Sequence, residues 1–332
     1  MSSKKQVGLI GFPIEHSLSP AVHKAAYAAL GLDWEYTLYP RMEEGEFSSL
    51  VRKMATRPTD YLGFNVTTPF KAAALEESQR IDGFTAQTAY AINVLTFLPE
   101  GNAARMFIAG TNTDGEAISR FLENNAGASL SGVDAIVCGT GPTAAAAICA
   151  LIQANASSIT ILSREKERVQ EFVNYFAEVR YVEGGAGPDA EQDSRRGSKQ
   201  ASRQNDQPSA AIRGLTYNNT QGLMAVCANS TLIIDATPVG MNPEDEPVLD
   251  TRFITDRHTV LDVVYGFGET KLLQGARAQG ARAYDGIGML VEQAALTIEI
   301  WASAQGETLK APRDIMYQAA FDELKRREQR TR

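Results

Sequence analysis

Ala135-Ile136-Val137-Cys138-Gly139-Thr140-Gly141-Pro142-Thr143-Ala144 reads as a short buried strand, a glycine turn and the start of an alanine-rich helix. Its pattern is G-x-G-x-x-A with the flanks a dinucleotide-binding turn requires. Gly139 permits the tight turn, Gly141 lets backbone approach a pyrophosphate, and Ala144 allows close helix–strand packing. Pro142 suits an early helical position, where its missing N–H costs nothing. The helix start then turns free N–H groups and a positive dipole end toward phosphate. A plain tight turn is the bland alternative.

Reading outward, a strand over 158–162 ends in Ser163-Arg164-Glu165, with Arg168 about one helical turn on. An acidic residue here would accept the ribose hydroxyls of NAD, whereas arginines clamp the extra phosphate of NADP. Arg164 and Arg168 favour NADP, and Glu165 keeps NAD open. Further strands are expected at 231–235, 260–264 and 283–284, with helices near 143–154, 166–177, 220–228, 270–279 and 289–304. Segment 183–209 lacks aromatic and large aliphatic residues, so a disordered or loosely held insertion is expected there.

Toward the N-terminus the strand–helix alternation continues. Strands are expected at 6–12, 34–40, 61–67, 91–98 and 106–109. Helices are expected at 21–30, with Ser19 as cap and Pro20 at the first turn, at 43–56 and at 116–124. The fold class is therefore α/β in two domains: a mostly parallel α/β substrate domain, and a Rossmann-type nucleotide domain over 113–286. Residues 1–112 and the C-terminal helices from 287 to 332 build the first, and the active site is expected in the cleft between the domains.

The 332 residues carry 32 Lys+Arg against 40 Asp+Glu, a net charge of −8, which argues against nucleic acid or an anionic membrane as the main partner. No apolar run has the length of a membrane span, and glycine and polar residues interrupt any signal-like start. Cys138, Cys149 and Cys227 form no disulfide framework, and His16, His23 and His258 are too scattered for a zinc site. A cytoplasmic, metal-free chain is expected. The basic tail, Lys325, Arg326, Arg327, Arg330 and Arg332, reads as a solvated end.

Three polar clusters lie at strand ends in the first third. Ser17 and Ser19 sit two apart before a helix, able to hold a carboxylate or polyol, or merely to cap and turn. Asn65 and Thr67 share one face of a strand that runs into Pro69 and Lys71. A lysine in a partly apolar cleft has its ammonium disfavoured by desolvation, which brings proton transfer near neutral pH within reach; a solvated surface charge is the alternative. Gly110-Thr111-Asn112-Thr113-Asp114-Gly115 marks a strand–helix junction where Asp114 either orients a lysine or caps the helix.

The order of GxPIxHSxSPxxH, GxNVTxPxK, Ala91-Ile92-Asn93, NTDG, the glycine turn and Asp285-Gly286-Ile287-Gly288-Met289 resembles the shikimate 5-dehydrogenases, a family that includes shikimate/quinate dehydrogenases, from Val7 to about Trp301. The resemblance implies reversible NADPH-dependent reduction of 3-dehydroshikimate to shikimate, a step of chorismate and aromatic amino-acid biosynthesis. It implies Lys71 and Asp114 as the catalytic pair, and substrate contacts from Ser17, Ser19, Asn65, Thr67, Asn93, Tyr265 and Gln293. For the cofactor it implies the turn Gly139–Ala144 (with Thr140 and Thr143), Ser163, Arg164 and Arg168, then Thr237, Val239, Met241, Val263, Gly286 and Met289. The partner implied is a small molecule, with the chain a monomer or homodimer. Val94, Thr68, Ser163 and Glu165 depart from the usual pattern, the last two bearing on cofactor choice. An NAD-dependent quinate/shikimate dehydrogenase and a non-catalytic sensing paralogue are the alternatives. Ser19 and Arg164 speak against the first, and the presence of both Lys71 and Asp114 against the second.

Overall fold

The computed structural model describes residues 4–57, 60–99, 106–179 and 210–331. The expected insertion at 183–209 therefore lies outside the described residues. The chain divides into two units. One draws on segments ending at Ala86, running Tyr90–Ala117, and starting at Ile287; the other on Gln87–Ala89 and Ile118–Gly286. The division falls after Ala117, not after residue 112 as expected, so Asp114 belongs to the same unit as Lys71.

The first unit is built on β1 (Lys5–Gly11), α1 (Ser19–Leu30), β2 (Trp34–Pro40), α2 (Glu44–Ala55), β3 (Gly63–Val66), α3 (Lys71–Glu77), β4 (Arg80–Asp82), β5 (Val94–Pro99) and β6 (Met106–Thr111). The sheet order is β2-β1-β3-β5-β6-β4. The pairs β1/β2, β1/β3 and β4/β6 are parallel, while β5 runs antiparallel to both β3 and β6. That reversal matters for the site. The C-terminal ends of β1, β3 and β6 and the N-terminal end of β5 all reach one edge of the sheet.

The apolar stripe of α2, Phe47, Leu50, Val51 and Met54, is buried against Phe64, Phe70 and Ile92, with Phe47 and Phe70 stacked at 5.1 Å. Gly31, at φ 67°, ends α1 in the left-handed region and donates its N–H to the Tyr27 carbonyl. The start of α1 differs from the expectation. Ser19 is its first helical residue, not its cap; Leu18 occupies the cap position with no side-chain hydrogen bond. Two C-terminal helices complete the unit, α10 (Ile287–Ala304) and α11 (Arg313–Thr331), with α4 (Phe84–Ala89) crossing the division and α5 (Asp114–Arg120) beginning before it. Trp301 of α10 is fully buried and its indole N–H donates to the Leu95 carbonyl at 3.1 Å.

In the second unit a π-helical turn, Phe121–Asn125, follows α5. Then come β7 (Asp134–Cys138), α6 (Pro142–Gln153), β8 (Ser158–Ser163), α7 (Lys166–Glu178), β9 (Ala211–Thr216), α8 (Thr220–Asn229), β10 (Leu232–Asp235), β11 (Thr259–Asp262), α9 (Lys271–Ala278) and β12 (Arg282–Tyr284). The order β12-β11-β10-β7-β8-β9 is parallel throughout. This is the doubly wound order 3-2-1-4-5-6, whose direction reverses between β7 and β10. The central strands are near-continuous apolar runs because helices cover both faces. Loops at the carboxyl ends of β7 and β10 flank the crevice where such sheets bind ligands.

Candidate active site

Lys71 opens α3 just past the turn at Pro69, and Asp114 opens α5 just past β6. The lysine Nζ lies 2.5 Å from Asp114 Oδ2, and both side chains are buried, 10% and 6% exposed. The other carboxylate oxygen, Oδ1, accepts from Asn93 Nδ2 at 2.7 Å. Asn93 cannot turn over: its Oδ1 accepts the Thr113 backbone N–H at 2.9 Å, which forces the amide nitrogen toward Asp114. Asn112 adds a second brace, accepting from the Asp114 N–H at 2.9 Å and donating to the Ala91 carbonyl at 2.8 Å. The Ile92 N–H fixes the Lys71 carbonyl at 3.0 Å. Hydrogen bonds on both of its oxygens fix the carboxylate, and it holds the Lys71 side chain in place. An ammonium has three N–H donors, and among the described residues one of them goes to Asp114, so Lys71 can also donate to an oxygen placed before it. Asp114 is thus not a mere helix cap, nor is Lys71 a solvated charge.

Ser17 and Ser19, in the loop after β1, are both buried. Ser17 Oγ accepts the Ser19 N–H at 3.2 Å, a use of one lone pair that leaves the hydroxyl proton for an acceptor. Thr67 follows β3, half-buried, with its N–H on the Ile10 carbonyl. Gly11 lies so close to it that an added Cβ would come within 2.3 Å of the Thr67 methyl. Asn65 is a strut within the unit: its Oδ1 accepts from the Tyr36 hydroxyl at 2.9 Å and its Nδ2 donates to Thr297 Oγ1 at 3.1 Å. Thr297 in turn donates to the Gln293 carbonyl at 2.8 Å, so α10 ties Gln293 and Asn65 together. Ser17, Ser19, Thr67, Lys71, Asn93 and Asp114 all sit at the sheet edge defined above.

Several supporting residues were not singled out from the sequence. Asn112 and Thr113 stood inside a quoted motif without a role. His23 is fully buried and stacks on Tyr36 at 4.0 Å, with its Nδ1 2.9 Å from the Tyr27 hydroxyl. Burial pulls its imidazole down to about 3, so it packs as a neutral ring. Arg327, expected in a solvated tail, instead donates to the carbonyls of His16 at 2.6 Å and Ser17 at 3.0 Å. A lone arginine in a charged run gives no sequence signal of such a contact.

In the second unit backbone, not side chains, shapes the surface. Gly139 has φ 108°, which a side chain resists, and an added Cβ would press within 3.3 Å of the Ala236 carbonyl and the Thr237 methyl. Gly141, at the cap of α6, faces open space where a Cβ would meet nothing within 4 Å, and it makes no side-chain cap hydrogen bond. A glycine cradle opening on uncapped helix N–H groups fits a pyrophosphate. Thr140, Pro142, Thr143 and Ala144 run from that turn into the helix. Ser163 ends β8, followed by the exposed Arg164; Arg168, also exposed, is in the first turn of α7. These two guanidinium groups suit a phosphate ester.

Thr237 N–H donates to Asp235 Oδ1 at 3.0 Å, and Val239 N–H to Thr237 Oγ1 at 3.3 Å, shaping the loop that carries Met241. Burial, then the neighbouring Asp262 charge, push the Asp235 carboxyl up to about 8. Burial raises Asp262 to about 6 despite bonds from Thr270 and Val264. Gly286 approaches so closely that a Cβ would lie 2.1 Å from the Val263 carbonyl oxygen. Tyr265 is half-buried in this unit, whereas Met289 lies on α10 in the first.

A family described as the shikimate dehydrogenase substrate binding domain matches residues 9–95. A shikimate dehydrogenase (NADP(+)) of Methanopyrus kandleri is 32% identical over 322 residues, covering 96% of each chain. The chain belongs to the shikimate dehydrogenase family. A shikimate dehydrogenase (NADP(+)) of Geobacter metallireducens is likewise 32% identical over 320 residues, 96% of this chain and 97% of the relative. Among solved structures, shikimate 5-dehydrogenase from Listeria monocytogenes, in complex with shikimate and NAD, superposes with a TM-score of 0.76 at 25% identity, covering 95% and 96% of the two chains. A shikimate dehydrogenase in complex with NADP+ superposes at 0.75 with 26% identity, covering 97% and 96%.

Proposed function

We propose that this chain is an NADP-dependent shikimate dehydrogenase, interconverting shikimate and 3-dehydroshikimate on the route to chorismate and the aromatic amino acids. The observation that carries the reading is the buried Lys71–Asp114 pair, held by Asn93 at the sheet edge that also bears Ser17 and Ser19. Membership of the family supplies the substrate and the cofactor.

Ser17 and Ser19 offer hydroxyl donors to the substrate carboxylate. Thr67, Asn93, Tyr265 and Gln293 are the candidates for its ring hydroxyls, and Asn65 acts chiefly by holding α10 and β2 to the site. Lys71 faces the oxygen of the reacting carbon. In the reducing direction it stabilises the negative charge that develops there and delivers a proton. Asp114 fixes the ammonium and balances its charge, so the pair needs no solvent rearrangement as the reaction proceeds. The nicotinamide, when bound, supplies or takes up the hydride. Gly139, Gly141 and the start of α6 would hold its pyrophosphate and Arg164 and Arg168 its extra phosphate; Thr237, Val239, Met241, Val263, Gly286 and Met289 are the candidates for the remainder. The three cysteines are buried free thiols, which supports a reducing, cytoplasmic setting.

The deciding assay follows reduced nicotinamide formation with shikimate or quinate, each paired with NADP+ or NAD+. The reading expects kcat/KM for shikimate with NADP+ to exceed quinate with NAD+ by at least about tenfold. Equal or inverted values would assign the chain to the quinate-using, NAD-dependent branch, and no turnover with any pair would remove the catalytic reading.

A further inference from the structure

The carbonyls of His16 and Ser17 precede the first turn of α1, which begins at Ser19, and so have no role in that helix. Both are taken by one side chain from the far end of the chain. Arg327, on α11, donates Nη1 to the His16 carbonyl at 2.6 Å and Nη2 to the Ser17 carbonyl at 3.0 Å. Its remaining Nε donates to Glu323 Oε1 at 2.9 Å, one turn back along the same helix. The guanidinium is therefore held from behind and spans two successive carbonyls with the fixed fork that only arginine has. At its other end α11 is clamped by Arg313, whose Nε reaches Glu292 at 2.8 Å and whose Nη1 reaches Glu299 at 2.9 Å, both on α10.

We infer that Arg327 is a positioning residue for the substrate carboxylate: by fixing the His16 and Ser17 carbonyls it sets the backbone from which the Ser17 and Ser19 hydroxyls project. The inference rests on the proposed role of those serines. It is physically specific because Ser17 Oγ already accepts from the Ser19 N–H, so a shift of the Ser17 peptide moves both hydroxyls together. The reacting end of the substrate is served by Lys71 and Asp114, which are held by each other and by Asn93 and Asn112. Loosening the serine loop should therefore weaken substrate binding far more than the chemical step.

The test compares wild type with Arg327→Met, which keeps the aliphatic stem, and Arg327→Lys, which keeps the charge but loses the planar fork that spans the two carbonyls. Steady-state kinetics are measured for shikimate and for NADP+, with melting temperature alongside. Arg327→Met is expected to raise KM for shikimate about tenfold, with kcat and KM for NADP+ within about twofold. Arg327→Lys should fall between, near threefold. Millimolar ethylguanidinium should restore part of the lost affinity in Arg327→Met and do nothing to wild type. An unchanged KM for shikimate in folded Arg327→Met overturns the inference, as does a parallel rise in both KM values with a lowered melting temperature. Should Arg327→Met not fold, Arg327→Lys decides: a wild-type KM overturns the inference, and a raised KM with unchanged kcat supports it. A wild type that does not oxidise shikimate overturns the underlying reading as well, an outcome plainly separate from the others.

Discussion

The two units solve the problem of holding a ligand by opposite means. In the first, residues from distant parts of the sequence converge as side chains held by hydrogen bonds: Asn93 by the Thr113 backbone N–H, the Asp114 carboxylate by Asn93 and its N–H by Asn112, Asn65 by Tyr36 and Thr297. In the second, what matters is the absence of side chains, with Gly139, Gly141 and Gly286 letting backbone approach backbone or leaving open space. The electrostatics differ too. The first unit buries a carboxylate against an ammonium, while the second buries Asp235 and Asp262 beside each other, both pushed up. Substitutions in the first should therefore remove chemistry and spare the fold, and substitutions in the second should disturb the fold or cofactor binding directly.

The largest expected effect breaks or upholds the first half of that contrast. Lys71→Met should lower kcat by about a thousandfold or more while changing KM for either ligand only a few-fold, because the ammonium acts on charge that develops in the transition state. A variant that kept its kcat would show that Lys71 only braces Asp114. The matching change in the second unit is Gly286→Ala. Its methyl would meet the Val263 carbonyl oxygen at 2.1 Å, a backbone atom with no rotamer to retreat into. A loss of about 3 kcal/mol of stability in chemical denaturation is expected, with cofactor affinity falling in parallel. Wild-type stability in that variant would mean β11 and the Asp285-Gly286 turn can part freely.

A third measurement sharpens the electrostatic side. Asp235 has an ordinary value of 3.8 and a folded value of about 8. Between those values the folded protein keeps a proton that the unfolded chain has lost, so this group's contribution to stability falls as pH rises from about 4 to 8, then levels off. Asp235→Asn removes that slope and can still accept the Thr237 N–H. Its stability advantage over wild type should grow by about 1–3 kcal/mol between pH 4.5 and 8. His23 in the first unit works the other way. Its imidazole is lowered from 6.5 to about 3, so its contribution falls as pH drops through that window. An advantage for Asp235→Asn that did not vary with pH would refute the buried-acid account. The smallest effect concerns cofactor choice: Arg164→Ala should raise KM for NADP+ about tenfold and leave that for NAD+ nearly unchanged.

Much of this was legible in the sequence where the signal is local. The glycine turn declares itself because glycine spacing and flanking apolar runs are both short-range, and β2 and α2 fall close to where aromatic alternation and the Phe47–Met54 stripe place them. The clusters around Ser17, Lys71 and Asp114 were visible through the family motifs. What escaped was governed by tertiary contact. β4 has only three residues and β9 is an edge strand with a mixed pattern, so neither carries a period long enough to read. α11 has few apolar residues and a run of charges, and its contacts include those made by Arg313 with the preceding helix and by Arg327 with carbonyls far back in the chain. Ser19 reads as a cap on composition, yet the chain uses Ser17 to receive its N–H.

The first unit is discontinuous, with α10 and α11 supplied only after all of the second has been made. On the ribosome, then, the usual order of domain maturation is inverted. The inserted doubly wound sheet can close while Asn65 still awaits Thr297, Leu95 awaits Trp301, and the serine loop awaits Arg327. The unit that carries the glycine turn is complete in sequence before the unit that carries Lys71 and Asp114, which still needs α10 and α11.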